Sequence, residues 1–255
     1  MSGEVQLERI NFLGYPVDQI SMPQALQWID KAIINRDTKH IVVLNANKLY
    51  LMARHTKLNQ IVQNADLIIP EWAVVWGAKQ LYLPPLIHLG GIMLTRALMP
   101  HAAEKGLRPY LLGASREVVT TLAEKLKAKY PALKLVGFHH GYLTTSEIDD
   151  RVVAHIQQLN PDILFVAMGS PRQEVWIDTH LSQLGVPVSI GVGGSFDVLA
   201  GLKKDTPDWA RGNGLEWIYR FWQDPRTYWK RYLVTNIWFL WQIIKAPRKT
   251  QYNVS

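Results

Sequence analysis

The chain has 255 residues, 48% of them hydrophobic, which allows one large domain, or one domain with an appendage, around a substantial core. It contains no cysteine, which excludes disulfides, thiolate nucleophiles and cysteine-ligated zinc. Of its net charge of +7, most lies at one end: residues 211–255 carry eight basic and two acidic side chains, whereas the remainder carries 20 basic and 19 acidic ones.

The first residues, MSGEVQLERINFLG, show no charged and then apolar signal pattern. No run approaches the roughly 18 to 20 apolar residues that a membrane span needs. We therefore expect a protein that is made and kept in the cytoplasm. Nucleic-acid binding is not expected, because the body of the chain is nearly neutral and no recognised binding motif is present.

In chain order, Ser21 followed by MPQALQWIDKAI predicts an N-cap, a proline in the first turn and an amphipathic helix. Short apolar runs rich in Val, Ile and Leu then recur, with helical stretches between most of them. The runs are residues 40–45, 66–70, 108–113, 133–138, 162–169 and 187–193. One continuous helix, KLYLMARHTKLNQIVQNA, is predicted between the first two runs. Strands that are apolar on both faces and separated by helices predict an α/β, doubly wound, mostly parallel sheet covered on both sides.

Near the C-terminus the composition shifts. Half of the ten tryptophans lie between Trp217 and Trp241, among the basic residues. Apolar residues at positions 229, 233, 237, 240 and 244 share one face of a helix that Pro225 would start and Pro247 would end. A basic, aromatic, amphipathic helix is typical of a membrane-surface element, and the alternative is a helix that packs on the core.

Ligands of doubly wound sheets bind beyond the carboxyl ends of the strands. The residues there are Asn45 and Asn47, Glu71, 113–115, 139–142, 169–173 and 191–197. Several of these segments are glycine-rich, and several open a helix whose free N–H groups favour an anion. The pattern predicts a phosphate-bearing small-molecule ligand. Glu71 is the unusual member, because a carboxylate at the end of a buried strand is unfavourable unless it is paired, solvated or used.

Several common site types are excluded. In GVGGSFDVLAG the third glycine of a dinucleotide fingerprint falls on Phe196, and no P-loop, G-x-S-x-G or H-E-x-x-H motif occurs. His139 and His140 are adjacent, and adjacent side chains tend to diverge, so we expect them to shape a loop and not a metal site. No Asp-x-Asp is present, so we expect neither a metal nor another cofactor. If the substrate is a sugar nucleotide, arginines and helix N-termini would neutralise its leaving diphosphate.

The segments YLLGAS, KYPALKLVGFHHGYL, PDILFVAMGSPRQEVWI, GVGGSFDVLAG and PDWARGNGLEWIYRFWQDPRTYWKRY resemble the WecG/TagA/CpsF glycosyltransferases (glycosyltransferase family 26) in order and spacing. The resemblance runs from about residue 10 to residue 232. It implies a Rossmann-like fold and the inverting transfer of a sugar from a UDP-sugar to a polyprenyl-diphosphate-linked saccharide. It also implies action at the cytoplasmic face of the bacterial inner membrane, a homo-oligomer and no obvious metal. On this basis we assign residues 1–204 to the catalytic domain and 205–255 to an appendage that docks on an anionic membrane surface.

By position, the resemblance assigns catalytic roles to three residues. Glu71 stands where the family has an aspartate, the proposed base, and a structural salt bridge is its alternative. Gln173 matches an active-site glutamine, with helix capping as its alternative, and Asn45 is expected to contact the sugar. The implied substrate-binding residues are Trp72, His88, Gly113, Ala114, His140, Gly141, Tyr142, Gly169, Ser170, Gly193, Gly194, Asp197, Arg220, Arg226, Lys230 and Arg231.

Some of these residues keep a second interpretation. Trp72 either stacks on a sugar or is a core indole, and Asp197 either orders the glycine-rich loop or holds a ribose. Any of the glycines can be only a turn. The four appendage cations either neutralise substrate diphosphates or are attracted to anionic headgroups, each worth about 1 kcal/mol at a membrane surface.

Departures from the family pattern lie on the sugar side of the expected site. Val43 replaces a threonine, Glu71 an aspartate and Trp72 a glycine, and His88 stands near an arginine position. These changes favour a plain hexose donor, UDP-glucose. UDP-N-acetylmannosamine or its uronic acid is the alternative donor, and a non-catalytic nucleotide-binding membrane scaffold is the alternative class.

Overall fold

A computed structural model describes residues 7–207, 210, 219, 222 and 225–247, the side chains of 225–232 excepted. The strands are β1 (Glu8–Phe12), β2 (Tyr15–Gln19), β3 (Lys39–Leu44), β4 (Leu67–Pro70), β5 (Pro109–Gly113), β6 (Gly137–His139), β7 (Ile163–Ala167) and β8 (Val188–Gly191). β1 and β2 form an antiparallel hairpin. The other six form one sheet in the order β4-β3-β8-β7-β5-β6, in which every neighbouring pair is parallel. The predicted α/β, doubly wound sheet is confirmed.

The helices are α1 (Met22–Asn35), α2 (Ala46–Met52), α3 (Thr56–Gln63), α4 (Trp72–Gln80), α5 (Gly91–Lys105), α6 (Arg116–Lys129), α7 (Ser146–Leu159), α8 (Arg172–Leu184), α9 (Ser195–Leu199) and α10 (Pro225–Lys245). Ser21 is the N-cap of α1 and forms a capping box with Gln24, as its sequence predicts. Helix α10 has the bounds that its two prolines predict.

Both faces of the sheet are buried because alternate strand residues point to opposite sides. On one face, Ile41, Val43 and Ile69 pack with α1, α5, α6 and α9. On the other face, Val42 and Leu44 pack with α2, α3 and α4, and further along the same face the inner strands pack against α7 and α8. β5 and β7 are neighbours in the sheet, but the strand that follows β5 lies on one side of this pair and the strand that follows β7 lies on the other. The direction of winding therefore changes between β5 and β7. Such a change of direction opens a crevice at the carboxyl edge of the sheet.

The structure differs from the sequence expectation in three elements. The helix predicted between β3 and β4 is broken into α2 and α3, because the chain turns at residues 53–55 to bury Leu58 and Val62 beside Leu49. Strand β6 covers Gly137–His139, only two of which belong to the expected run 133–138, and it is an edge strand that pairs with β5 alone. The β1–β2 hairpin, which the apolar runs do not reveal, packs beside β4, where the buried Asp18 accepts the backbone N–H of Ile68 at 2.7 Å.

Helix α10 packs along α2 with one face and leaves another face open. Phe239 and Ile243 are buried beside Phe12, and Gly77 provides the space, because a Cβ there would lie within 3.0 Å of all three side chains. The opposite side carries the apolar stripe predicted from the sequence, of which the exposed members are Leu233, Ile237, Leu240 and Ile244, with Trp241 beside them. Among the described helices, none combines the length and apolar character that crossing a bilayer requires.

Candidate active site

Glu71 lies at the end of β4 with its carboxylate turned away from the helix that it begins. It is the N-cap of α4, but its side chain makes no capping hydrogen bond. Its backbone is held by β3, since its N–H donates to the Leu44 carbonyl at 2.8 Å. None of the described residues forms an ion pair with it within 4.0 Å, so the structural salt bridge is not seen among them.

Asn45 orients this carboxylate. Its Nδ2 donates to Glu71 Oε2 at 3.0 Å. Its Oδ1 caps α2 by accepting the backbone N–H of Lys48 at 2.9 Å. Because a backbone N–H can only donate, these two bonds fix which way the amide faces. The N-cap of one helix thereby aims the carboxylate at the start of another.

His88 lies near Glu71 on the segment before α5. A Cβ built on Gly90 would lie 3.2 Å from His88 Nε2 and 3.7 Å from Glu71 Oε1, so both side chains border this glycine. Burial lowers the pKa of His88 below its ordinary value of 6.5, although the charge of Glu71 acts to raise it. The imidazole is therefore neutral at pH 7, unlike the arginine expected near this position.

Gln173 is buried in the first turn of α8. Its Oε1 accepts the N–H of Gly193 at 3.0 Å, and its Nε2 donates to Glu174 Oε1 at 2.8 Å. The side chain does not cap α8, whose N-cap is Pro171. It instead connects α8 to residues 191–194 after β8, which we call the glycine loop.

These side chains line one pocket of about 460 Å³ at the carboxyl edge of the sheet. The predicted site residues that line it are Asn45, Glu71, Trp72, His88, Gly169, Ser170, Gln173, Gly193 and Gly194. The first turns of α2, α4, α5, α8 and α9 all border it. Helix N-termini carry partial positive charge and unsatisfied N–H groups, so the pocket suits an anionic, phosphate-bearing ligand.

Sequence reasoning missed part of the lining. Among the residues it did not assign are Lys48, Asp205, Thr206, Thr235, Asn236 and Phe239. Two adjacent polar residues, Thr235 and Asn236, interrupt the apolar sequence of α10. This interruption is the feature of the sequence that indicates a part of α10 facing a pocket. The buried pair of Lys48 and Glu174 had no sequence signal, because its members are 126 residues apart.

A second group of predicted residues lies at the ends of β5 and β6 and does not line the pocket. Gly113 has φ +133°, and any side chain there would collide with the Ala167 carbonyl. Gly141 packs on it so closely that a Cβ would lie 2.9 Å from Gly113 Cα, and its N–H donates to the Ala114 carbonyl at 2.9 Å. His140 and the exposed Tyr142 follow on the same loop. This group borders the crevice between β5 and β7.

The remaining predicted residues fall elsewhere. Asp197 lies 3.6 Å from Lys203 Nζ, and its carbonyl accepts the N–H of Leu202 and of Lys203, so it orders the turn after α9. It does not line the pocket, and its contact with a ribose stays a prediction. Arg220 lies outside the described residues, and so do the side chains of Arg226, Lys230 and Arg231.

The fold and the pocket define a Rossmann-like protein in which a carboxylate lies in a pocket bordered by a glycine-rich loop and by helix N-termini. The chain belongs to the glycosyl transferase WecG/TagA/CpsF family, whose model matches residues 10–253. The resemblance seen in its motifs is thus confirmed.

Curated relatives carry a more specific name. N-acetylglucosaminyldiphosphoundecaprenol N-acetyl-beta-D-mannosaminyltransferases of Staphylococcus aureus strains MW2 and NCTC 8325 are 34% identical over 246 residues, covering 94% of each chain. The protein of strain MRSA252 is 33% identical over the same length. These names do not support the expected UDP-glucose donor and agree with the alternative, N-acetylmannosamine.

Proposed function

We propose that this chain transfers an N-acetylmannosaminyl group from its UDP-linked form to N-acetylglucosaminyl diphosphoundecaprenol, with inversion at the anomeric carbon. The relatives' names support the sugar and the acceptor, at 34% identity over 94% of the chain. The observation that supports the chemistry is the position of the Glu71 carboxylate. It lies in the pocket, makes no capping hydrogen bond to α4 and is oriented by Asn45. UDP as the leaving group and inversion rest on the family resemblance.

In this reaction an acceptor hydroxyl oxygen forms the new bond to the anomeric carbon of the donor. The bond from that carbon to the diphosphate oxygen breaks, and UDP leaves with the electron pair. Glu71 takes the proton of the attacking hydroxyl, so that the hydroxyl gains nucleophilicity as the bond forms. The fixed carboxylate needs no rotation before it accepts this proton, because Asn45 already holds one of its oxygens.

The leaving diphosphate carries the charge that develops in the transition state. The N-termini of α5 and α8 and the backbone of the glycine loop border the same pocket. Fixed dipoles of this kind stabilise a developing anion without reorganising. The cations Arg220, Arg226, Lys230 and Arg231 complete this role in the proposal, on the donor or on the lipid acceptor.

The residues that depart from the family pattern occupy the side of the pocket nearest the base. Trp72 and His88 both line the pocket with Glu71. We assign them to the donor sugar, Trp72 as a stacking surface and the neutral His88 as a hydrogen-bond partner. The C2 position distinguishes this donor from UDP-glucose, since it carries an axial acetamido group in place of an equatorial hydroxyl.

The exposed face of α10 belongs to the same proposal. Its side chains Ile237 and Ile244 are 59% and 74% exposed, and Leu240 lies both on this face and in the pocket lining. A lipid-linked acceptor would reach the pocket from a membrane surface on which this face rests. The proposal therefore includes a peripheral position at the cytoplasmic membrane face. Residues 205–255 as the docking appendage and a homo-oligomer rest on the family resemblance.

Donor screening by product mass tests the function. The purified chain is incubated with a short-chain lipid diphosphate carrying N-acetylglucosamine and with UDP-N-acetylmannosamine, its uronic acid or UDP-glucose, each with and without EDTA. We expect an N-acetylhexosamine adduct from the first donor, unaffected by EDTA. If only a hexose adduct formed, the donor would be UDP-glucose. UDP binding without any adduct would favour the alternative class, a non-catalytic nucleotide-binding membrane scaffold.

A further inference from the structure

A buried ion pair borders the pocket through Lys48 and is not explained by the roles assigned so far. Lys48 Nζ lies 2.5 Å from Glu174 Oε1, and the two side chains are 3% and 0% exposed. Lys48 belongs to α2, which Asn45 caps, and Glu174 belongs to the first turn of α8. Burial acts to raise the pKa of Glu174, but the charge and hydrogen bond of Lys48 outweigh it and hold the pKa below its ordinary value. The carboxylate is therefore ionised.

The ion pair is continuous with Gln173. Glu174 Oε1, which binds Lys48, also accepts Gln173 Nε2 at 2.8 Å. Gln173 Oε1 in turn accepts the N–H of Gly193 in the glycine loop at 3.0 Å. A carboxylate only accepts and a backbone N–H only donates, so the two neighbours together determine the orientation of the amide. One N–H and one lone pair of Gln173 then remain for other partners.

The same chain of contacts reaches the proposed base from the other side. The backbone N–H of Lys48 binds Asn45 Oδ1, and Asn45 Nδ2 binds Glu71 Oε2. Lys48 thus joins two halves of the site, its main chain holding the cap that aims Glu71 and its side chain holding the carboxylate that aims Gln173.

We propose that Glu174 is a positioning residue, whose side-chain oxygen fixes the Gln173 amide and through it the glycine loop, and that Lys48 compensates the charge of this buried carboxylate. This inference rests on the proposed function, since it assigns the pair to the same transfer reaction. Stability alone does not require the pair, because apolar residues of similar volume replace buried ion pairs with little loss, and often with a gain. The hydrogen bond that Glu174 Oε1 accepts from Gln173 Nε2 has no apolar replacement.

Two double variants separate these roles. Lys48→Met with Glu174→Leu removes both charges and also the acceptor for Gln173 Nε2. Lys48→Met with Glu174→Gln removes both charges but keeps a carbonyl oxygen as the acceptor. Lys57→Met with Asp178→Leu is the matched control, because this ion pair of 2.6 Å also ends on α8 but is partly exposed, at 61% and 34%, and does not line the pocket.

Turnover and amide exchange are the two measurements. We expect the kcat of the leucine double variant to fall about ten- to a hundredfold, with a smaller change in KM for the donor. The glutamine double variant should keep most of the kcat of the unaltered chain. In protein labelled at glycine nitrogen, the Gly193 amide should exchange about tenfold faster in the leucine variant than in the glutamine variant or the control.

The two proposals fail differently. Absence of sugar transfer by the unaltered chain would overturn the proposed function, while the Gly193 exchange rates would still test the positioning. Equal kcat and equal Gly193 exchange in the two double variants would overturn the positioning role alone. If the leucine variant does not fold, the inference is tested on the unaltered chain and the glutamine variant. A Gly193 amide that exchanges without protection in the unaltered chain overturns the inference. A protected Gly193 amide, together with near-normal kcat in the glutamine variant, supports it.

Discussion

Asn45 Nδ2 donates a hydrogen bond of 3.0 Å to Glu71 Oε2 across the ends of two neighbouring parallel strands. Leu44 of β3 stands opposite Pro70 of β4, so the next residue of each strand is brought to the same edge by the register of the sheet. Each of the two side chains comes from the N-cap of the helix that follows its strand. The pairing of β3 with β4 thereby brings together the two side chains to which we assign catalytic roles.

Glu71→Gln should abolish most turnover. The amide keeps the shape and a contact to Asn45 but cannot take a proton, so kcat should fall by roughly 10²- to 10⁴-fold. Binding of UDP, measured by calorimetry, should be retained, because Glu71 is assigned to the acceptor hydroxyl. Glu147→Gln is the control, since its side chain is 73% exposed on α7. Full activity of Glu71→Gln would remove Glu71 as the base.

Gly191→Ala should impair the site without unfolding the chain. A Cβ on Gly191 would lie 2.6 Å from Gln173 Nε2, the far end of a flexible side chain that can move away. The amide would then leave Gly193, and we expect kcat to fall about tenfold or more while Tm changes by only about 2 to 4 °C. Scanning calorimetry beside initial rates checks both parts.

Ser189→Ala on the same strand is its control. The Ser189 hydroxyl is buried without a hydrogen-bond partner among the described residues, so its removal should change neither rate nor melting temperature by much. A normal rate in Gly191→Ala would mean that the position of Gln173 does not limit turnover.

Much of this site could be predicted from the sequence because strand ends are read from local patterns. Buried runs such as the one that ends at Glu71 have a clear composition, and in a parallel sheet their carboxyl ends meet at one edge. Asn45, Glu71 and Gln173 were therefore expected to meet, and they line one pocket. The glycines at the ends of β5 and β6 are placed together by the same rule.

The unpredicted part depends on contacts between distant segments. The break between α2 and α3 contains no glycine or proline and follows from the burial of Leu58 and Val62. Lys48 and Glu174 look like ordinary surface residues in sequence, and only packing of α2 near α8 removes both from water. Which side of α10 packs was also undetermined, because both of its sides are apolar.

His40 should make the fold acid-sensitive. It is fully buried on β3, and burial lowers its pKa from 6.5 to about 4. Between these values the unfolded state binds the proton and the folded state does not, so stability falls as the pH drops through this window. The loss should total roughly 3 kcal/mol, since one pKa unit corresponds to about 1.4 kcal/mol.

The test compares His40→Leu with the unaltered chain in urea unfolding at pH 7 and at pH 4.5. The variant cannot bind this proton, so its loss of stability between the two values should be smaller. His55→Leu is the control, because it removes an exposed imidazole at the start of α3. Equal pH dependence of the His40 variant and the unaltered chain would contradict the assignment.

The exposed stripe of α10 should govern vesicle binding. Ile237 and Ile244 are 59% and 74% exposed, whereas the buried Phe239 holds the helix on the body of the protein. Ile237→Glu with Ile244→Glu should lower partitioning onto anionic vesicles by about tenfold or more, because two apolar contacts are lost and two like charges are added. Ile34→Glu is the matched control, since Ile34 is 79% exposed on α1. Turnover on a water-soluble acceptor should persist while turnover on a vesicle-bound acceptor falls. An equal loss of turnover on both acceptors would mean that the stripe affects the pocket and does not bind the membrane.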